Sequence, residues 1–137
     1  MNHLFAYGTL MCVDIMENVT GQVFSAEKGI LRNYQRYLVK NETYPALISE
    51  KNGHVEGVVY LRITEPAWDR LDIFEGEMYK KQIVNVMVYN SKTIKAMTYV
   101  LRPEFKHYIT SIIWDYGTFL KSGKMSFQKD YNGFKRI

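Results

Sequence analysis

Apolar and polar positions alternate in short runs over much of the chain, the period-two signature of half-buried strands, and only a few stretches carry the longer period of helices. Leu4-Phe5-Ala6-Tyr7 is an apolar run too short for a helix that passes directly into Gly8-Thr9, which predicts a buried strand ending in a turn. Cys12 to Asn18 suits a turn or two of helix, closed by Gly21. The loose alternation from Gln22 to Lys40 predicts two strands joined near Asn33. Tyr44 to Ile48 is a further short strand whose Pro45 belongs at an edge or a strand start. Lys51-Asn52-Gly53 then signals a hairpin turn before a strand from His54 to Arg62. Thr64 caps a helix with Glu65 and Pro66 in its first turn, which runs to Phe74 or Glu75 and stops at Gly76. The clearest hairpin pairs Tyr79–Tyr89 with Thr93–Leu101 around Asn90-Ser91-Lys92, with Val84, Val86 and Val88 on one face. Pro103 ends the sheet, His107 to Leu120 reads as a helix, and an irregular end follows.

Clustered strands joined by hairpins, with few helices between them, indicate an α+β fold built on a small closed or nearly closed sheet. The length of 137 residues fits one domain, read as 1–120 with a basic C-terminal tail at 121–137. The net charge of +4 resides in that tail: it holds five basic groups and one acid, while 1–120 balances at 13 of each. The body is therefore not that of a nucleic-acid binder, and the tail reads as a solvated segment. A single cysteine, Cys12, excludes an internal disulfide and a cysteine-rich zinc site, making a reducing compartment, the cytoplasm, the default expectation. The start lacks a signal-peptide pattern and no apolar run reaches the length of a membrane span. Oligomeric state is not legible.

One position breaks the pattern. Trp68 and Leu71 mark the core-facing stripe of the helix from Glu65, and the next place on that stripe is Glu75. A carboxylate there must be paired, solvated by a cavity, or protonated. The plain account is a salt bridge to Lys80, Lys81 or a neighbouring arginine; the alternative is a functional carboxylate. Asp72 reads as a surface or hydrogen-bonding residue. At Gly8-Thr9, a flexible turn at a strand end lets successive N–H groups converge on an anion or carbonyl oxygen. His3, His54 and His107 lack metal-ligand spacing, Cys12 has no paired histidine in any signature, and no nucleophile elbow or phosphate loop is present. The residues alone leave a one-carboxylate pocket beside an N–H turn.

FAYGTLM at the N-terminus, YPA at Tyr44 to Ala46, VEGVVY in mid-chain and LDIFEGEMYKK at Leu71 to Lys81 together resemble the gamma-glutamylcyclotransferase-like family, more closely its small gamma-glutamylamine cyclotransferase branch. The resemblance covers about residues 3 to 101 and implies a small mixed β-barrel flanked by a few helices. It implies cyclisation of a small-molecule gamma-glutamyl amine or amino acid, by transferase- or lyase-type C–N chemistry, releasing 5-oxoproline without metal or cofactor. Carried over, the family's turn falls on Tyr7, Gly8, Thr9 and Leu10, which would hold the glutamyl moiety, and its acid/base glutamate falls on Glu75. Tyr79 matches a tyrosine that lines the site. The family often has glycine or arginine near Cys12-Val13 and commonly arginine where this chain has Lys81, and the stretch after Pro103 matches little. The alternative reading is a non-catalytic protein of the same fold that binds a small amino-acid derivative.

Overall fold

The computed structural model describes residues 2–130. Six strands, β1 (Leu4–Ala6), β2 (Ala26–Val39), β3 (Pro45–Tyr60), β4 (Tyr79–Met87), β5 (Thr93–Leu101) and β6 (Ile109–Ile113), form one sheet. The order β3-β1-β5-β4-β2 returns to β3, closing a five-stranded barrel, and β6 adds to β2. β1 runs parallel to β5, and the other pairs are antiparallel, which makes the barrel mixed. Around it lie α1 (Val13–Thr20), α2 (Glu65–Glu75), a short α3 (Tyr116–Thr118) and α4 (Lys124–Asp130). A wider π-type turn over Phe119–Gly123 joins the last two. The α+β class and the barrel flanked by helices are thus as the sequence indicates.

Alternation along β1 divides the core. Phe5 and Tyr7 join Leu31, Val55, Val59, Val84, Val86 and Val88 in a cluster drawn from the barrel strands and their ends. Leu4 and Ala6 face the other way, into a cluster with Ile15, Trp68, Leu71 and Phe74 of the helices. β1 crosses β3 so closely that a Cβ on Gly57 would stand 2.4 Å from the Ala6 carbonyl oxygen, so only glycine fits there. α2 begins and ends as its residues dictate: Thr64 Oγ1 accepts from the Ala67 N–H at 3.3 Å, and Gly76 closes the helix at φ 77. α1 likewise stops at Gly21, φ 74.

Three expectations are corrected. The two strand pairs read on either side of Asn33 and Asn52 are single long strands, β2 and β3. Both asparagines do adopt positive φ, at 67 and 66, but they face each other across a bulge where the register jumps from Arg32↔His54 to Tyr34↔Ser49. The Asn52 N–H donates to Asn33 Oδ1 at 3.2 Å, so the turn residues bend a ribbon instead of reversing it. The helix expected at 107–120 is interrupted: His107 and Tyr108 end a 3-10 helix (Pro103–Tyr108), β6 follows because Ile109, Thr110, Ile112 and Ile113 are β-branched and the strand pairs with β2, and α-helix begins only at Tyr116. The irregular, solvated end expected from residue 121 is helical to Asp130 and buries Phe127, while the rest of that tail, 131–137, lies outside the described residues. Lys124 of α4 bonds Asp14 of α1 at 2.9 Å. Among the described residues no helix is long and apolar enough to cross a membrane.

Candidate active site

One end of β1 opens into a cavity of about 70 Å³, several times the roughly 10–15 Å³ that one water needs. Tyr7, Gly8, Thr9 and Leu10 line it from the β1 end, Glu75 and Tyr79 from the end of α2 and the start of β4. All six residues singled out in the sequence therefore meet around one space. Tyr44, Pro45, Phe74, Met78, Tyr99 and Phe127 complete much of the wall. Cys12 is not among the lining residues; it is buried, with its Sγ 3.5 Å from the Tyr116 hydroxyl.

The loop after β1 is held by its carbonyls. The Tyr7 oxygen accepts from Arg36 at 2.6 Å, Gly8 O from Met11 N–H at 2.9 Å, Thr9 O from Cys12 N–H at 3.1 Å, and Leu10 O from the Tyr60 hydroxyl at 2.7 Å. Every carbonyl from Tyr7 to Leu10 is engaged. Among the described residues the amide N–H groups of Gly8, Thr9 and Leu10 donate to no loop, turn or side-chain acceptor. A turn fixed through its carbonyls, with successive amides uncommitted, has the donors that a carboxylate or an oxyanion requires.

Glu75 is the last residue of α2, and Gly76, whose N–H bonds Asp72 O at 3.1 Å, turns the chain away behind it. The salt bridge that was the plain account of Glu75 is absent among the described residues: Lys81 instead bonds Asp72, at 3.1 Å. The residue is half-buried and keeps some accessible surface, as befits a side chain facing a small cavity. Burial, and secondarily the charge of Asp72, pushes its pKa from the ordinary 4.5 up to about 8. Asp72 is held in place by the Tyr99 hydroxyl at 2.7 Å as well as by Lys81. Tyr7 donates its hydroxyl to the Tyr99 carbonyl at 2.6 Å, and Tyr79 donates to Pro45 O at 3.0 Å, so both rings serve as fixed walls. Burial, followed by the charge of Glu75, raises the Tyr7 pKa well above its usual value, keeping the phenol neutral.

The wall contributed by α4 had no sequence signal, because a lone Phe127 among lysines, serine and glutamine gives no readable apolar stripe. Its ring packs edge-on to Tyr44 and Phe74, both at 6.2 Å, and to Phe119 at 5.9 Å. Among the described residues no group of three or more His, Cys, Asp or Glu side chains could hold a metal ion.

Residues 4–120 match the model of the family described as Gamma-glutamyl cyclotransferase, AIG2-like. The chain belongs to this family. A relative, AIG2-like protein D of Arabidopsis thaliana, is 31% identical over 98 residues, which span 72% of this chain and 64% of that protein. The matched region thus falls short of two thirds of that relative's length. A solution structure from Arabidopsis thaliana superimposes with a TM-score of 0.73 at 23% identity, covering 93% of this chain and 78% of the other. A solved gamma-glutamyl cyclotransferase gives 0.64 at 19% identity, covering 74% and 66%. At these identities the solved structures establish the fold, a barrel that the family shares.

Proposed function

We propose that this member of the gamma-glutamyl cyclotransferase family cyclises a small gamma-glutamyl amine or gamma-glutamyl amino acid to 5-oxoproline and the free amine, with Glu75 as general acid/base. The observation that carries the reading is the unpaired, desolvated Glu75 sharing a cavity with the three uncommitted amides of Gly8, Thr9 and Leu10. A gamma-glutamyl compound carries its own nucleophile, so no serine or cysteine is required. Glu75 takes a proton from the α-ammonium, and the freed amine attacks the γ-carbonyl carbon to close a five-membered ring. The oxygen gains charge and rests against the loop amides. As the bond to the leaving nitrogen breaks, Glu75 returns the proton to it; the second proton of the ring nitrogen follows by the same carboxylate, and the amine departs as ammonium. Holding amine and carbonyl in contact contributes about 7 kcal/mol or more in favourable intramolecular reactions. Tyr7 and Tyr79 shape the space around the glutamyl chain.

A carboxyl group with a pKa near 8 is partly ionised and partly protonated around neutral pH, which suits a group that must both accept and return a proton. The test is 5-oxoproline release from a panel of gamma-glutamyl amines and amino acids, with wild type beside Glu75→Gln. Turnover by wild type with a loss of at least about a hundredfold in the variant is expected. Turnover that survives the substitution removes Glu75 as the base, and a folded wild type silent across the panel leaves a binding protein of the same fold.

A further inference from the structure

Arg36 does not line the cavity, yet it is the charged group most closely tied to the cradle. From β2 its Nη1 donates to the Tyr7 carbonyl at 2.6 Å and to the Glu56 carbonyl at 2.8 Å, and lies 3.7 Å from Met11 Sδ. The guanidinium stacks over Trp114 at 5.0 Å, and Trp114 is itself fixed by an Nε1–H bond to Thr43 O at 2.8 Å. Because a trans peptide sets its C=O and N–H in opposite directions, a carbonyl of Tyr7 drawn toward Arg36 turns the Gly8 N–H to the other side, and Gly8 lines the cavity. A hydrogen bond from a full positive charge also polarises that peptide, making its N–H a stronger donor.

We infer that Arg36 is a positioning residue of the site: by holding and polarising the Tyr7–Gly8 peptide from behind, it aims the Gly8 amide at the anionic oxygen of the bound gamma-glutamyl compound or its tetrahedral intermediate. The inference rests on the cyclotransferase reading for its kinetic consequence, but its structural core does not. Burial and Asp72 are the causes of the raised Glu75 pKa, and Arg36 is not among them, so its replacement is expected to leave the base as it is. The effect belongs to the peptide.

The experiment compares wild type, Arg36→Met and Arg36→Lys by three readouts. In the nitrogen–proton spectrum, Arg36→Met is expected to move the Gly8 amide nitrogen upfield, the mark of a lost bond at the preceding carbonyl, with Arg36→Lys between. Affinity for 5-oxoproline, used as the anionic probe, is expected to fall about tenfold or more in Arg36→Met and to be partly restored in Arg36→Lys. Turnover is expected to fall by about ten- to a hundredfold with the pH profile unmoved. A Gly8 amide and probe affinity unchanged in folded Arg36→Met overturn the inference, as does a loss explained wholly by a lowered urea midpoint that Arg36→Lys shares equally. A wild type without turnover defeats the cyclotransferase reading alone, since the Gly8 shift and the probe still decide the role of Arg36.

Discussion

Replacing Glu75 by glutamine is expected to stabilise the protein above neutral pH while removing the proposed base. The folded carboxyl has a pKa of about 8 against an ordinary 4.5, a raised value. Above the ordinary value the unfolded chain releases a proton that the folded chain still holds, so the folded state binds more protons and stability falls as pH rises. The contribution of this group is fully present below about pH 4.5, is lost progressively as pH climbs to about 8, and is then level. A gap of roughly 3.5 units corresponds to at most about 5 kcal/mol at 1.36 per unit. Glu75 is only half-buried, and solvent screening reduces this, so a difference of about 1–3 kcal/mol is expected at alkaline pH. Glutamine keeps the shape of glutamate and cannot ionise, so the variant avoids the loss. Urea unfolding of both proteins at about pH 4, 6 and 8.5, followed by the fluorescence of the buried Trp68 and Trp114, measures the difference. Wild type and Glu75→Gln should coincide at the acid end and diverge steadily toward the alkaline end. Parallel curves, or a variant less stable at every pH, would refute the claim that Glu75 sits desolvated and unpaired.

Three further outcomes follow from the same geometry. Asp72→Asn removes the second cause of the raised Glu75 pKa, so the acid limb of kcat/KM against pH should move to lower pH by about half a unit to one unit; an unmoved limb would mean that burial alone sets it. Phe127→Ala deletes edge contacts to Tyr44, Phe74 and Phe119 and should cost about 2–4 kcal/mol in urea unfolding. It should also raise the relative rate for bulkier leaving amines, which a series of gamma-glutamyl alkylamines reads directly. In Gly8→Ala the added Cβ would stand 2.9 Å from Pro45 Cγ and Cδ, a clash confined to one ring of the cavity wall, and Gly8 does not occupy the positive-φ region. The fold should therefore persist while turnover drops roughly tenfold through the displaced cradle; full activity would show that the wall has room to yield.

The parts of the fold legible in the sequence are those where a local rule and the tertiary context agree. Thr64, Pro66 and Gly76 bracket α2 because capping and backbone freedom act within a few residues. Val84, Val86 and Val88 alternate cleanly because one face of the hairpin is buried in the barrel. Asn33 and Asn52 were misread because a positive φ serves a bulge as well as a turn, and only the pairing of two distant strands separates them. The stretch from Ile109 reads as a helix until β2 supplies an edge for it to pair with. At the site, Glu75 stood out as a charge on an apolar stripe, whereas Arg36, Tyr60 and Phe127 gave no signal. Their roles come from contacts across 29, 50 and 53 positions of the chain, to Tyr7, Leu10 and Phe74.

The contrast between this cavity and the rest of the interior bears on what the cavity is for. Among the described residues no buried side-chain nitrogen or oxygen lacks a hydrogen-bond partner, so the fold satisfies its polar groups with care. Thr98 bonds the Phe5 carbonyl at 2.8 Å, and Tyr60 and Tyr7 find carbonyls at 2.7 and 2.6 Å. Against that background, Glu75, which forms no ion pair among the described residues, and Gly8, Thr9 and Leu10, whose amides have no acceptor among them, line one small space. A defect of packing would leave a donor or an acceptor stranded at random, and nearby donors and acceptors would relax toward each other. Here the loop is prevented from relaxing, because Arg36 and Tyr60 hold its carbonyls from behind, and the glutamate is prevented from reaching a cation, because Lys81 is occupied by Asp72. On the proposed reading, polar groups kept apart by other bonds are held ready for a molecule that supplies what each lacks: an anionic oxygen for the amides and a labile proton for the carboxylate.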